Sequence, residues 1–296
     1  MAIKLLALDL DGTLLNSRGD ISERNRLALV AAREKGVRVA LVTGRRFRDA
    51  RPLALELGLD VPLIAHNGAL TKHARTLETV EAILLPHEAA REVLRVGRRH
   101  NMDAMISDDA EGLGVLVYDH INHDNHPLTR YIAWAKRIHG AEAEEAIRKV
   151  SSLEEYLDHS PVHIGFSGNC ATIEAFAEAL KCELGESIKA FATIYPKQDF
   201  ALVDVLHPAA SKGAGVAATA REFGISRHEV MAVGDNLNDL EMLHYAGLAV
   251  RMGNAQAALC EFAEFHTTAT NDEDGVAQAV ERFILNNSQE SESLRV

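Results

Sequence analysis

The chain has few cysteines, a deficit of positive charge and no long apolar run, and each shortage argues against a class of protein. The three cysteines, Cys170, Cys182 and Cys260, are odd in number and without a Cys-x-x-Cys pair. A disulfide framework or a cysteine zinc site is therefore not expected. Lys and Arg number 31 against 43 Asp and Glu, a net charge of −12. A general binder of phosphate backbones would present a basic surface, so no nucleic-acid partner is expected. A small phosphorylated ligand in a local positive pocket stays compatible with that balance. No run of about 18 apolar residues occurs, so no membrane span is expected. The apolar residues 3–8 meet Asp9 and Asp11 at once and lack a cleavage site, unlike a secretory signal. A cytoplasmic protein is the expectation.

What is present has the balance of a globular protein, 47% hydrophobic and 25% charged over 296 residues. That length suits one core plus a substantial insertion. Residues 3–10 read as a buried strand ending at Asp11-Gly12, and residues 22–35 as a helix capped by Ser22 and stopped by Gly36. A strand at 37–42 ends at Thr43-Gly44. A helix follows at 48–57, where Pro52 suits only the first turn, then a strand at 63–65 before Asn67-Gly68. The pattern returns late, with helices at 211–223, 239–245 and 275–285 and strands at 230–233, 248–252 and 265–268. The Ser/Glu/Asn-rich residues 286–296 are expected to fray. Between these halves lie strands at 102–106, 113–118, 162–166, 190–195 and 201–206 and helices at 88–99, 128–139 and 172–184. The last two strands read as an antiparallel hairpin. The fold class is thus α/β: a parallel-sheet core of residues 1–83 and 207–296, with an inserted α+β cap at 84–206.

Three predicted strands end in polar clusters: Asp9-Leu10-Asp11-Gly12-Thr13, Thr43-Gly44-Arg45 and Gly234-Asp235-Asn236-Leu237-Asn238-Asp239. Open parallel sheets bind ligands at the carboxyl ends of their strands, so the three clusters should converge. Asp9 and Asp11, two apart, would share one side of a strand. Carboxylates crowded in a cleft need a cation, and the oxygen-only set Asp9, Asp11 and Asp235 suits Mg²⁺ rather than zinc. Lys212 opens a helix after Ser211, where its charge opposes the dipole unless an anion is close. Arg45, beside Thr43-Gly44, is a candidate contact for a substrate phosphate or carboxylate.

Asp9-Leu10-Asp11-Gly12-Thr13-Leu14, Leu41-Val42-Thr43-Gly44-Arg45, Ser211-Lys212-Gly213 and Gly234-Asp235-Asn236-Leu237-Asn238-Asp239 together resemble the four ordered motifs of the haloacid dehalogenase superfamily. Asn67-Gly68-Ala69, Met252-Gly253-Asn254-Ala255 and residues 272–277 are similar to its Cof-type (type IIB) branch. The resemblance implies a phosphatase with a Rossmann-like core. It makes Asp9 a nucleophile that forms an aspartyl-phosphate and Asp11 the general acid and base. It implies phosphoryl contacts from Leu10, Thr43, the Gly44 amide and Lys212, with Asn238 orienting the phosphate. Mg²⁺ is implied between the Asp9 carboxylate, the Asp11 main-chain carbonyl and Asp235, with Asp239 steadying Lys212 or metal-bound water. Asn67 joins Arg45 as a candidate substrate contact.

Asp11 favours phosphate esters over dehalogenation, because an alcohol leaving group needs a proton and a halide does not. Only 29 residues separate Thr13 from Thr43, whereas 168 separate Thr43 from Lys212, so a large cap belongs in the second interval. There it is expected to choose the substrate, a small phosphorylated metabolite such as a sugar, nucleotide or flavin-pathway phosphate. A phosphotransferase or phosphomutase, and an idle binding protein on the same fold, are the alternatives. His120, His123 and His126 read as a solvated loop rather than a metal site, and Trp134 as cap packing.

Overall fold

Strand β1 (Leu5–Asp9) is buried along its whole length, and its neighbours explain why it can be a continuous apolar run. A computed structural model describes residues 2–196 and 199–286. After β1 come α1 (Glu23–Glu34), β2 (Arg38–Val42), α2 (Phe47–Glu56), β3 (Pro62–Ala65), β4 (Leu70–His73) and β5 (Thr79–Ala82). Then follow α3 (His87–Arg99), β6 (Ala104–Asp108), β7 (Val115–Tyr118), α4 (His126–His139), α5 (Ala143–Ala146), β8 (Ile147–Lys149) and α6 (Leu153–Tyr156). Next are β9 (His163–Gly168), α7 (Cys170–Leu184), β10 (Lys189–Tyr195) and β11 (Phe200–Leu206). The chain closes with α8 (Lys212–Glu222), β12 (Val230–Gly234), α9 (Leu240–Tyr245), β13 (Leu248–Arg251), β14 (His266–Thr267) and α10 (Gly275–Val280).

The chain divides into two compact units. One holds residues 2–45, 49–81 and 211–286, the other residues 46–48 and 82–210. The first, called the core below, has an eight-stranded sheet in the order β14-β13-β12-β1-β2-β3-β4-β5. β1 pairs in parallel with β12 and β2, with Leu5 opposite Val230 and Arg38. Helices α8 and α9 cover one face, packing Val216, Ala220, Met242 and Leu243 on Leu5, Ala7, Ala40 and Ala232. α1 packs on α10, and the Asn25 side chain accepts from the Ala277 amide at 2.9 Å. A strand with helices on both sides must be apolar on both faces, which is why β1 shows no alternation. Beyond β3 the sheet departs from the all-parallel expectation. β4 returns antiparallel, Ile64 facing Thr71. β4 and β5 are short and mixed in polarity, so periodicity does not reveal them.

The second unit, the cap, has the sheet order β10-β11-β9-β6-β7-β8. All its pairings are antiparallel except β7 with β8. α3 and α7 pack one face, where Phe166 meets Phe176 edge-on at 4.7 Å. α4 lies on the other, setting Leu128, Ile132 and Ala135 against Met105, Leu116 and Tyr118. α4 begins two residues before the expected start. Asn125 caps it by accepting from the Leu128 amide at 3.1 Å, and Pro127 is tolerated in the first turn. α2 corrects the expectation for Pro52, which lies beyond the first turn of a helix starting at Phe47. The Arg48 carbonyl there lacks a helical donor. Residues 287–296, most of the expected tail, fall outside the described residues.

Candidate active site

The carboxyl ends of β1, β2 and β12 bring most of the polar residues together, and α8 supplies the cation. Asp9 ends β1 and is 3% exposed, while Lys212 begins α8 at 2%. Ser211 caps α8 by accepting from the Ala214 amide at 3.1 Å. That cap fixes the helix start and hence the lysine beside it. Lys212 Nζ donates to Asp9 Oδ1 at 2.6 Å and to Asp239 Oδ1 at 2.5 Å. The anion that a lysine at a helix start requires is present twice.

Asp239 is wholly buried, and its second oxygen accepts from the Asp235 and Asn236 amides, both at 2.9 Å. It thus ties the loop after β12 to Lys212. Thr13 Oγ1 donates to Asp235 Oδ1 at 2.9 Å and aims that carboxylate. Asn254 Nδ2 donates to the Gly12 carbonyl at 2.8 Å and steadies the turn. Gly12 has φ +86°, and a Cβ there would lie 2.4 Å from Asp235 Oδ2, so only glycine fits. Gly68 has φ +87°, and a Cβ would fall 1.8 Å from the Ser211 carbonyl. Its bare backbone is what lets α8 start so close. Neither Thr13 nor Asn254 was singled out from sequence for a role. The signal is that each is a hydrogen-bonding residue in a turn at the same sheet edge.

Asn67 adopts a left-handed conformation, φ 52°, and is buried. Its amide donates to the Thr43 carbonyl at 3.0 Å, and its side-chain oxygen accepts from Asn238 Nδ2 at 2.8 Å. Asn67 therefore braces Thr43 and Asn238. The Asn238 side-chain oxygen is buried with no hydrogen-bond partner. Gly44 sits against Asn67, with room for a Cβ only 3.0 Å from the Asn67 oxygen. Thr43 is buried, and its hydroxyl accepts from the Arg45 amide at 3.1 Å.

Asp11 departs from the expectation of a side chain beside Asp9. β1 stops at Asp9, so strand alternation no longer applies two residues on. The Asp11 side chain is 53% exposed and accepts from both Arg45 Nε (2.8 Å) and Arg45 Nη2 (2.6 Å). The carboxylates that do meet are Asp9, Asp235 and Asp239, whose oxygens lie within 4.8 Å of one another. Among the described residues this is the one group of three candidate metal ligands. His120, His123 and His126 are exposed and form no such group.

The electrostatics follow from burial. Asp9 has its pKa held well above the usual carboxylate range by burial and by Asp239, with Lys212 acting in the opposite sense. Asp235 is pushed up to about 6 by burial and Asp239. Burial works against the Lys212 charge, yet Asp239 and Asp9 outweigh it and hold its pKa above the ordinary value. Two carboxyls raised this way against one lysine are short of positive charge, and all the donors are hard oxygens. A divalent hard cation fits that deficit. Asp239 is already committed to Lys212 and two amides, which leaves Asp9 and Asp235 as the candidate side-chain ligands.

A family model for haloacid dehalogenase-like hydrolases matches residues 6–280. The chain is 30% identical over 285 residues to the 5-amino-6-(5-phospho-D-ribitylamino)uracil phosphatase of Bacillus subtilis, covering 96% of each chain. It is also 30% identical over 291 residues to the pyridoxal phosphate phosphatase of Escherichia coli, covering 96% of this chain and 100% of that one. The solved structure of a haloacid dehalogenase-like hydrolase from Bacteroides thetaiotaomicron superposes with a TM-score of 0.76 at 29% identity, covering 95% of this chain and 99% of that one. Among the described residues no helix is long and apolar enough to cross a membrane.

Proposed function

The chain belongs to the haloacid dehalogenase-like hydrolase family, and from that membership we propose that it is a Mg²⁺-dependent phosphatase of small phosphorylated metabolites working through an aspartyl-phosphate on Asp9. The observation that carries this reading is Lys212 bridging Asp9 and Asp239 in a buried site. Lys212 Nζ holds Asp9 Oδ1, so Oδ2 is the oxygen that attacks phosphorus. The bond from phosphorus to the ester oxygen breaks, and Asp11 gives its proton to the departing alcohol. A carboxyl that donates a proton cannot also accept both bonds from Arg45. The Asp11–Arg45 pair therefore opens when substrate arrives, freeing Arg45 for the ligand. Asp11 then takes a proton from water, which attacks the phosphoryl group and restores the Asp9 carboxylate.

Lys212, the Thr43 hydroxyl and the Leu10 and Gly44 amides hold phosphoryl oxygens. Asn238, whose nitrogen donates one hydrogen to Asn67 Oδ1, keeps its second amide hydrogen for the phosphate. Asp9, Asp235 and the Asp11 main-chain carbonyl would hold Mg²⁺, which when bound neutralises charge on the transferring phosphoryl group. Two relatives carry names for action on a ribitylaminouracil phosphate and on pyridoxal phosphate. Small organic phosphate esters are accordingly the substrate class proposed, with residues 84–206 choosing among them.

The test is phosphate release from a panel of sugar, nucleotide, flavin-precursor and pyridoxal phosphates, with Mg²⁺ and after exhaustive chelation. Release that requires the metal is expected. Full activity after chelation would overturn the metal site, and no release from any ester would overturn the hydrolytic reading in favour of an idle binding protein.

A further inference from the structure

Two short motifs of the sequence, Met252-Gly253-Asn254-Ala255 and residues 272–277, take no part in the chemistry above. Both reach back to the loop that follows β1. Asn254 Nδ2 donates to the Gly12 carbonyl at 2.8 Å. Asp272 accepts from the Ser17 amide at 2.8 Å and from the Ser17 hydroxyl at 2.5 Å. Between these two contacts, the buried Asn271 donates its Nδ2 to the Leu15 carbonyl at 2.9 Å. Side chains from beyond β13 and β14 thus hold the first loop at Gly12, Leu15 and Ser17.

The Asn254 side chain has only one workable orientation. Its oxygen accepts from the Asn271 amide at 2.9 Å. Turned over, it would set its NH₂ against that N–H and its oxygen against the Gly12 carbonyl. The Asn271 amide is itself held in place, because Thr270 and Glu273 close a capping box around the turn that begins there. Two residues after Asn254, the Gln256 amide donates to the Asp235 carbonyl at 2.8 Å. The stretch 254–256 therefore spans both loops that carry candidate metal ligands, with a side chain on one and main chain on the other. A peptide group is planar, so holding the Gly12 carbonyl also holds the Thr13 nitrogen. From there the Thr13 hydroxyl donates to Asp235 Oδ1 at 2.9 Å. Asp235 is confined by its own backbone from one side and by Thr13 from the other.

Resting on the Mg²⁺-dependent reading above, we propose that Asn254 is a positioning residue for the metal site: its donation to Gly12 sets the spacing between the Asp9–Asp11 loop and Asp235, and with it the affinity for the cation. Spacing matters because Mg²⁺ takes its oxygens at about 2.0–2.1 Å in near-octahedral geometry and tolerates little displacement. Groups standing behind metal ligands are worth about 10–100-fold in affinity or activity. Asn254 bonds to the side chain of none of the three carboxylates and acts only through the Gly12–Thr13 peptide. It is also exposed, so replacing it should leave the fold intact.

The experiment titrates Mg²⁺ into the full-length protein by isothermal calorimetry without substrate, and measures the melting temperature in chelator. Asn254→Ala should raise the Kd for Mg²⁺ by about tenfold or more, while its melting temperature in chelator stays within a few degrees of wild type. A purely structural role would move the melting temperature and leave the Kd alone. Asn254→Asp is the sharper variant. It is nearly isosteric and can still accept from the Asn271 amide, but it has no hydrogen to give Gly12 and adds a negative charge near the site. Charge alone would tighten Mg²⁺ binding, whereas lost positioning loosens it, and looser binding is expected. A Kd within about twofold of wild type in Asn254→Ala, or binding tighter than wild type in Asn254→Asp, overturns the inference and leaves the phosphatase reading in place. If the wild-type protein binds no Mg²⁺, the metal site itself fails and this inference with it.

Discussion

In the core sheet the buried charges touch: Lys212 Nζ lies 2.6 Å from Asp9 and 2.5 Å from Asp239, and Asp239 also accepts from two backbone amides. In the cap sheet the buried polar groups stand off: His163 Nε2 is 3.5 Å from Asp204 and 3.4 Å from Ser107. Both sets sit in apolar surroundings, so both bear the cost of desolvation. The core offsets that cost with short ion pairs, which fix Asp9, Lys212 and Asp239 against one another. The cap holds its set at longer distances, where each contact offsets less of the cost. Chemistry common to all phosphate esters needs the first arrangement.

The largest expected effect breaks the core side of that contrast. Asp9→Asn should lower turnover of any accepted ester by about 10³-fold or more with the fold intact, because Asn is nearly isosteric and a poor nucleophile. Steady-state phosphate release measures it. Activity within about tenfold of wild type, with mass spectrometry showing no deamidation back to Asp, removes Asp9 as the nucleophile.

Next in size is Lys212→Ala, expected to cut turnover by about 10²-fold, the scale of losing one transition-state charge stabiliser. It should also destabilise the fold by about 3–5 kcal/mol, since Asp9 and Asp239 would stay buried without their cation. Lys212→Arg should rescue only in part, because a planar fork does not replace a compact ammonium between two carboxylates. Phosphate release and urea unfolding report the two effects separately. Near-wild-type values in both for Lys212→Ala would show that the tight cluster does nothing the loose one could not.

The core was more legible in the sequence than the cap, for physical reasons. β1, β2 and β12 are continuous apolar runs that end in polar clusters, and parallel strands share one ligand-binding edge. Lys212 at a helix start demanded an anion, and Asp9 and Asp239 supply it. Asp11 was misplaced because strand alternation was carried past the strand's end. Asn67-Gly68 marked a turn, and Asn tolerates its left-handed conformation, but the bracing of Thr43 and Asn238 from other segments had no local sign. In the cap, residues 120–127 read as loop although Asn125 and Pro127 form a helix start. Residues 162–166 and 201–206 were visible as strands, but the row Ser107–His163–Asp204 exists only through the pairing register of β6, β9 and β11. Register is a nonlocal property that no single strand's pattern contains.

The smallest expected effect sharpens the cap side through pH. The folded Asp204 carboxyl, at about 7, lies above its unfolded value of about 3.9. Between those values the folded state holds the extra proton, so Asp204's contribution to stability falls as pH rises through the window. His163 has the opposite sign: folded at about 3 and unfolded at about 6.5, it contributes more as pH rises from 3 to 6.5. The two largely mask each other in wild type until His163 has finished titrating. Asp204→Asn removes the falling contribution and leaves His163 and Arg46 in place. The melting temperature of the variant, measured without metal and expressed relative to wild type, should therefore climb by a few degrees between pH 5 and pH 8. About 1 kcal/mol moves Tm by roughly 2–4 °C in a chain of this size class. Asp9 and Asp235 titrate in both proteins and cancel in the difference. A flat difference across that range would mean that Asp204 is ionised and well paired throughout, and the contrast between the two sheets would be gone.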